Sequence, residues 1–261
     1  MACNTVMVTS FKGGVGKSTV AANLALFFAL SGKKTLLVDC DFRMRSLDIL
    51  LGVEDSIVHD ASDIMEERVG LEKAVLTDAR TENLLFLPAP FNYTEGIDAE
   101  RFSALLKEAA EKYSLDKIVL DTPGSSGEEF SAAATCSDVA YIVANHAFPA
   151  LRAAECTGAT LEQMGVEERI LLINMFDMSG RDAEKRPSVV DIIDNTGLRL
   201  GGIIPYDRRF GMLQDEGKLA DEIKDSNIAK AFENTVGRAE GKNIPLFTGF
   251  KRINKKKLLG Y

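Results

Sequence analysis

Between Thr5 and Leu30 the chain reads TVMVTSFKGGVGKSTVAANLALFFAL, and this stretch limits the possible fold more than any other. A short β-branched run at 5–10 leads into Gly13, Gly14 and Gly16, and a nearly apolar, breaker-free run follows Thr19. Glycine accepts the left-handed backbone that turns successive N–H groups onto one anion. A helix starting directly after such a loop adds the partial positive charge of its N-terminus. Strand, glycine loop and helix in this order predict a phosphate-binding loop, whose usual pattern is G-x-x-x-x-G-K-[ST]. Gly16, Lys17 and Ser18 fit the end of that pattern, but Phe11 stands where its first glycine belongs. A second lysine, Lys12, follows at once. The span Gly13–Thr19, with Val15 contributing backbone, is the expected nucleotide cradle. Lys17 is expected on the β- and γ-phosphates and the Ser18 hydroxyl on Mg²⁺.

The rest of the chain supplies matching strands. Nearly continuous apolar runs at 34–41, 83–90, 116–123, 138–145, 169–174 and 198–207 alternate with helical patterns at 17–31, 99–113, 127–136, 149–163 and 187–195. In the clearest helix, Phe102, Leu105, Leu106, Ala109 and Tyr113 recur at three- and four-residue spacing. Apolar strands separated by helices predict an α/β fold, a mostly parallel doubly wound sheet with helices on both faces. We expect one such domain over residues 1–241 and a basic tail over 242–261.

Two of these strands end in acids. Asp39 and Asp41 close the second strand in LLVDCDFRMRSLD, beside the expected phosphate position. Acids there can hold Mg²⁺ through water and orient an attacking water molecule. Asp121 ends KIVLDTPGSSG as a Walker-B acid should, and Gly124 and Gly127 leave the next loop free to move with a γ-phosphate.

Charge and cysteine usage exclude several classes. Net charge is −8, yet six basic and no acidic residues fall in 242–261, leaving −14 on the other 241 residues. Such a body is a poor nucleic-acid surface, which needs clustered positive charge. Four scattered cysteines and two histidines give neither a disulfide framework nor a zinc centre. No run reaches the roughly 18 apolar residues of a membrane span, and no signal peptide is recognised. The expected location is cytoplasmic.

At FKGGVGKST the chain resembles the deviant-Walker-A ATPases of the MinD/ParA type, P-loop NTPases of the SIMIBI class, whose loop reads x-K-G-G-x-G-K-[ST]-[ST]. The first position varies there, so Phe11 is no defect. GKKTLLVDCDFRMRSLDILLG, TDARTENLLFLPAP, GGIIPYD and the basic tail look like segments of the MinD branch, in the same order. The resemblance implies a three-layer sandwich, slow ATP hydrolysis with Mg²⁺, and an ATP-held homodimer acting as a spatial switch in cell-division site placement. The alternative is a paralogue positioning pili, other surface machinery or DNA. It implies that Lys12 reaches the partner subunit's phosphates and that Asp41 activates water. Asp39 and Asp121 would support Mg²⁺, while Asn174 and the Pro205–Asp207 loop would flank the adenine. Asn174–Asp177 reads NMFD, without the lysine of a guanine-reading N-K-x-D, which favours ATP. Departures stand at Arg43, Ser46, Gly124, His146 and Ala153, near the family's dimer and activator surfaces, and leave the activating partner unidentified.

The tail follows its own pattern. Projected as a helix, Phe247, Phe250, Ile253, Leu258 and Tyr261 share one arc, with Lys251, Arg252, Lys255 and Lys256 opposite. Asn254 and Lys257 intrude on the apolar face, and Leu259 falls outside it. A basic amphipathic helix of this kind suits an anionic membrane surface. Each basic residue contributes about 1 kcal/mol there, so one tail is marginal and two on a dimer bind through effective concentration. Reversible association with the inner face of the cell membrane is therefore expected.

Overall fold

The computed structural model describes residues 3–91, 96–179, 186–251, 253 and 258–259. Eight strands form one sheet: β1 (Asn4–Thr9), β2 (Thr35–Asp39), β3 (Leu76–Thr77), β4 (Leu84–Leu87), β5 (Lys117–Asp121), β6 (Val139–Ala144), β7 (Glu168–Phe176) and β8 (Arg199–Pro205). The longer helices are α1 (Lys17–Leu30), α5 (Ala99–Tyr113), α6 (Glu128–Thr135), α7 (Phe148–Gln163), α8 (Val189–Thr196) and α10 (Asn227–Ala239). Among the described residues the shorter α-helices are α2 (Leu47–Leu51), α3 (Ala61–Met65), α4 (Leu71–Ala74) and α9 (Arg208–Gln214).

The strand order is β3-β4-β2-β5-β1-β6-β7-β8, parallel throughout except for β3. All seven strands expected from the sequence are present. β3 is the addition, a two-residue antiparallel edge with no apolar run of its own. The order places β1 centrally, with β5 on one side and β6 on the other, and β2 beside β5. The carboxyl ends of β1, β2 and β5 therefore lie side by side, which is where open α/β sheets bind ligands.

Helix α1 carries the phosphate loop into the core and is buried from Val20 to Ala29. Its one polar residue in that run, Asn23, is fully buried, and both its polar atoms are hydrogen-bonded. Nδ2 donates to the Thr19 carbonyl at 2.8 Å, and Oδ1 accepts from the Ala220 N–H at 2.8 Å. A buried amide left unpaired would cost about 1–3 kcal/mol. Asn23 thus pins the 207–220 segment onto the first turns of α1. α1 and α10 pack together over one face. On β6, Tyr141 faces Gly201 and the α10 side, while its neighbour Ile142 meets Gly158 of α7 on the other. α5 buries Phe102, Leu105, Leu106 and Ala109 as its spacing predicts, capped by the Asp98 carboxylate.

The tail departs from expectation. A helix starting at Phe247 does not form; residues 245–250 are turns, with Phe247 at φ 63. Side-chain amides on α10 supply the hydrogen bonds that a helix would have made internally. Asn234 Nδ2 donates to the Thr248 carbonyl at 2.7 Å. Asn227 takes both backbone groups of Lys251, at 2.8 and 3.0 Å. Phe247 and Leu258 are buried in the main core, and Phe250 and Ile253 pack against it. Burying a phenylalanine side chain stabilises by about 1.5–3 kcal/mol, so these residues hold the tail root to the body. Arg252 lies outside the described residues.

Candidate functional site

The phosphate loop adopts the backbone that its glycines permit, with Gly14 at φ 74 and Gly16 at φ 85, the latter capping α1. Gly16 has no room for a side chain, since a Cβ would stand 2.4 Å from Asn174 Nδ2. Phe11 anchors the loop instead of a glycine. Its ring packs on Phe130 of α6 at 5.1 Å between centroids, and its N–H donates to Thr157 Oγ1 of α7 at 3.2 Å. Lys12 is exposed beyond this anchor, and among the described residues its ammonium has no partner.

Asn174 is held at the loop by strand geometry. Register shifts interrupt the β7–β8 ladder between Ile173 and Phe176, with Met175 left-handed at φ 51. Such a kink re-aims side chains. Asn174 Nδ2 donates to the Val15 carbonyl at 2.8 Å, so its amide props the phosphate loop in this conformation.

Asp39 and Asp121 face each other in the β2–β5 register, both buried. The Asp39 carboxylate organises the next loop, accepting from the N–H of Asp41 at 2.9 Å and from those of Ser46 and Leu47 at 3.3 Å. Burial pushes its carboxyl up to about 7 despite these donors. Asp121 is also raised well above the usual carboxylate range, by burial and then by the Asp39 charge, against the pull of Ser18 and Lys17. Its Oδ1 is buried with no hydrogen-bond partner. Two adjacent buried acids and one orphaned oxygen, with the Ser18 hydroxyl alongside, fit a hard divalent cation. Among the described residues no group of three histidine, cysteine or acidic side chains could hold a metal alone. Mg²⁺ takes few protein ligands and completes its shell with water and phosphate.

This pair sets a pH dependence. An acid raised from about 3.9 in the unfolded chain to about 7 when folded stabilises the fold fully below the lower value. That stabilisation is lost as pH rises through the upper one. Nucleotide- and metal-free protein should therefore melt higher near pH 5.5 than near pH 8, and Asp39→Asn should flatten the difference. Scanning fluorimetry across that window checks it; a wild-type melting temperature that rises with pH contradicts the assignment.

Asp41 is half-buried and turned back on its own loop. Its Oδ1 accepts from the N–H groups of Arg43 at 3.3 Å and Met44 at 3.0 Å. Arg43 reaches Glu129 of α6 at 3.7 Å, joining the Asp41 loop to the segment after Asp121. Lys17 lies beneath that segment, where a Cβ on Gly124 would stand 3.4 Å from its Nζ. His146 is buried, edge-on to Phe176 at 5.3 Å and in contact with Arg186.

The Pro205–Asp207 loop is less free than its expected adenine role suggests. Asp207 caps α9 through the Arg209 N–H at 2.9 Å and pairs with the Arg209 guanidinium at 2.6 Å. Pro205, Tyr206 and Asp207 line a cavity of about 360 Å³ whose far side is Asn227 and Lys251. One site contact had no signal in the sequence. Gln214, the last residue of α9, donates from Nε2 to Thr19 Oγ1 at 2.6 Å, across 195 positions.

Residues 6–220 match the CobQ/CobB/MinD/ParA nucleotide binding domain. The chain is 36% identical over 242 residues to the septum site-determining protein MinD of Synechocystis sp., covering 92% of this chain and 90% of that protein. It is 33% identical over 247 residues to MinD of Helicobacter pylori, covering 92% and 91%. Among solved structures it superposes on the MinC:MinD cell division complex of Aquifex aeolicus with TM-score 0.86 and 31% identity, covering 96% and 99%. MinD of Pyrococcus horikoshii, solved with Mg-ADP, gives 0.80 and 26%, covering 92% and 96%. With its phosphate loop, paired buried acids and an Mg²⁺-compatible Ser18 at the carboxyl ends of the interior strands β1, β2 and β5, the chain belongs to the CobQ/CobB/MinD/ParA family of nucleotide-binding proteins.

Proposed function

We propose that ATP gates this chain between a monomer and a membrane-attached homodimer. It is a MinD-like ATPase, and its chemistry serves placement of the cell-division site, as the names of its relatives indicate. The observation that supports the dimer is Lys12, a second loop lysine that is exposed and without a partner among the described residues, while Lys17, beside Gly124, is assigned to its own subunit's phosphates. Across a nucleotide-filled interface Lys12 meets the neighbouring subunit's phosphates. Gly13–Thr19 cradle the triphosphate, and Asn174 and the Pro205–Asp207 loop lie on its base side. Ser18 and, through water, Asp39 and Asp121 would hold Mg²⁺, whose charge would offset that of the phosphates. Asp41 releases its loop N–H groups to hold the water that attacks the γ-phosphate. Its present commitment to those groups supports slow turnover until an effector reshapes the loop.

Membrane attachment belongs to the tail. No helix among the described residues is long and apolar enough to cross a membrane, so attachment is peripheral. Phe247 and Phe250 root the tail in the body, and the segment from Lys251 onward supplies the basic surface. ATP-loaded protein should sediment with anionic liposomes, and deletion of 251–261, which keeps both phenylalanines, should reduce the bound fraction at least fivefold. Undiminished sedimentation of that truncation, or of one lacking 247–261, removes the tail from the proposal.

A further inference from the structure

Helix α9 has the base-side loop at one end and the phosphate cradle at the other. Asp207 caps its start, and Gln214 at its end donates to Thr19 Oγ1 at 2.6 Å. Its seven residues span about 10 Å at 1.5 Å each. The segment is pinned again just beyond, where the Ala220 N–H reaches Asn23. Asn23 also holds the Thr19 carbonyl, so these two contacts converge on one turn of α1.

A threonine hydroxyl has a single proton and two lone pairs. Once Gln214 Nε2 donates to the Thr19 oxygen, that proton is available for a different acceptor. Thr19 follows Lys17 and Ser18 on the first turn of α1, where phosphate oxygens are bound. Resting on the nucleotide cradle proposed above, we propose that Gln214 is a positioning residue for nucleotide binding. By occupying a lone pair of Thr19 it aims the hydroxyl proton at the phosphates, and it couples α9 and the base-side loop to the cradle.

The interaction makes a polarity-specific prediction. Gln214→Met keeps the length of the side chain but donates nothing, so Thr19 loses its orientation. A hydrogen bond of this kind corresponds to a five- to tenfold change in affinity, at about 1 kcal/mol net. Gln214→Glu accepts where glutamine donated, turning the Thr19 proton away from the phosphates and adding a negative charge. Its loss should exceed that of Gln214→Met.

Calorimetric titration of the full chain with Mg·ADP tests this, using Gln214→Met, Gln214→Glu, Thr19→Val and the Gln214→Met/Thr19→Val double variant. The expected result is five- to tenfold weaker binding for Gln214→Met and for Thr19→Val, with the double variant no weaker than the weaker single one. For Gln214→Met, KM for ATP should rise in parallel while kcat at saturation stays within about twofold, which a general loosening of the fold would not spare. Additive losses in the double variant, or wild-type affinity in Gln214→Glu, overturn the proposal. Lys17→Ala serves as the control for the cradle. If it binds Mg·ADP like wild type, the nucleotide site itself is misplaced and Gln214 loses its role with it. If only Lys17→Ala loses binding, the cradle stands and the role of Gln214 is refuted.

Discussion

Lys12→Ala should bind Mg·ADP within about twofold of wild type, remain monomeric with ATP, and hydrolyse ATP at least 100-fold more slowly. Removing one preorganised charge contact from a phosphoryl-transfer site costs about 10²–10³ in rate, and cations supplied across an interface reach 10³–10⁵. The retained ADP affinity follows from geometry. The side chain of Lys12 is exposed and its ammonium has no partner among the described residues, while the loop is anchored by Phe11 on Phe130 and Thr157. Its loss therefore leaves the cradle intact. Size-exclusion chromatography with light scattering, paired with phosphate release, reads both effects. An ATP-dependent dimer with wild-type turnover would place Lys12 outside the reaction.

Asp41→Ala should differ in keeping the dimer, with ATP bound and hydrolysis reduced about 10²–10³-fold. Asp41 is the one strand-end acid near the cradle that is not buried. Asp39 supports three backbone N–H groups and Asp121 faces Ser18. In the resting loop the Asp41 carboxylate accepts from Arg43 and Met44, hydrogen bonds that an attacking water must displace. The variant should consequently accumulate as an ATP dimer on liposomes instead of cycling off. Single-turnover hydrolysis decides the matter; a rate within threefold of wild type would transfer the water-positioning role to another group. Asp39→Ala is a poorer probe, since it withdraws the acceptor around which residues 41–47 are built.

Much of this site was legible along the chain because its parts are local. A glycine loop must sit between a strand and a helix, and strand-ending acids follow their strands in sequence. Topology then needs only the rule that a parallel sheet gathers its carboxyl ends. The short helices α2, α3, α4 and α9 had too few residues for a periodic signal, and β3 had only two. α10 lay beyond the last strand and was missed despite its amphipathic face. Its importance emerges only with Asn227 and Asn234 holding the tail backbone.

The tail shows where pattern misleads. Helical periodicity reports which residues could share an apolar face, whereas burial depends on what is nearby to cover it. Here the core buries Phe247 and takes Phe250 against it, while α10 supplies amides for the turn backbone, so the phenylalanines face the body. Gln214 and Thr19 meet across 195 positions, and no spacing rule links residues so distant. Backbone preference and side-chain period act over a few residues, so the amino-acid order alone determined the strand–loop–helix, the apolar strands and the acids at their ends. Contacts across the sheet and between helices depend on the whole chain being packed. Only the tertiary structure could decide the lay of the tail, the inward turn of Asp41 and the hand that α9 extends to the phosphate loop.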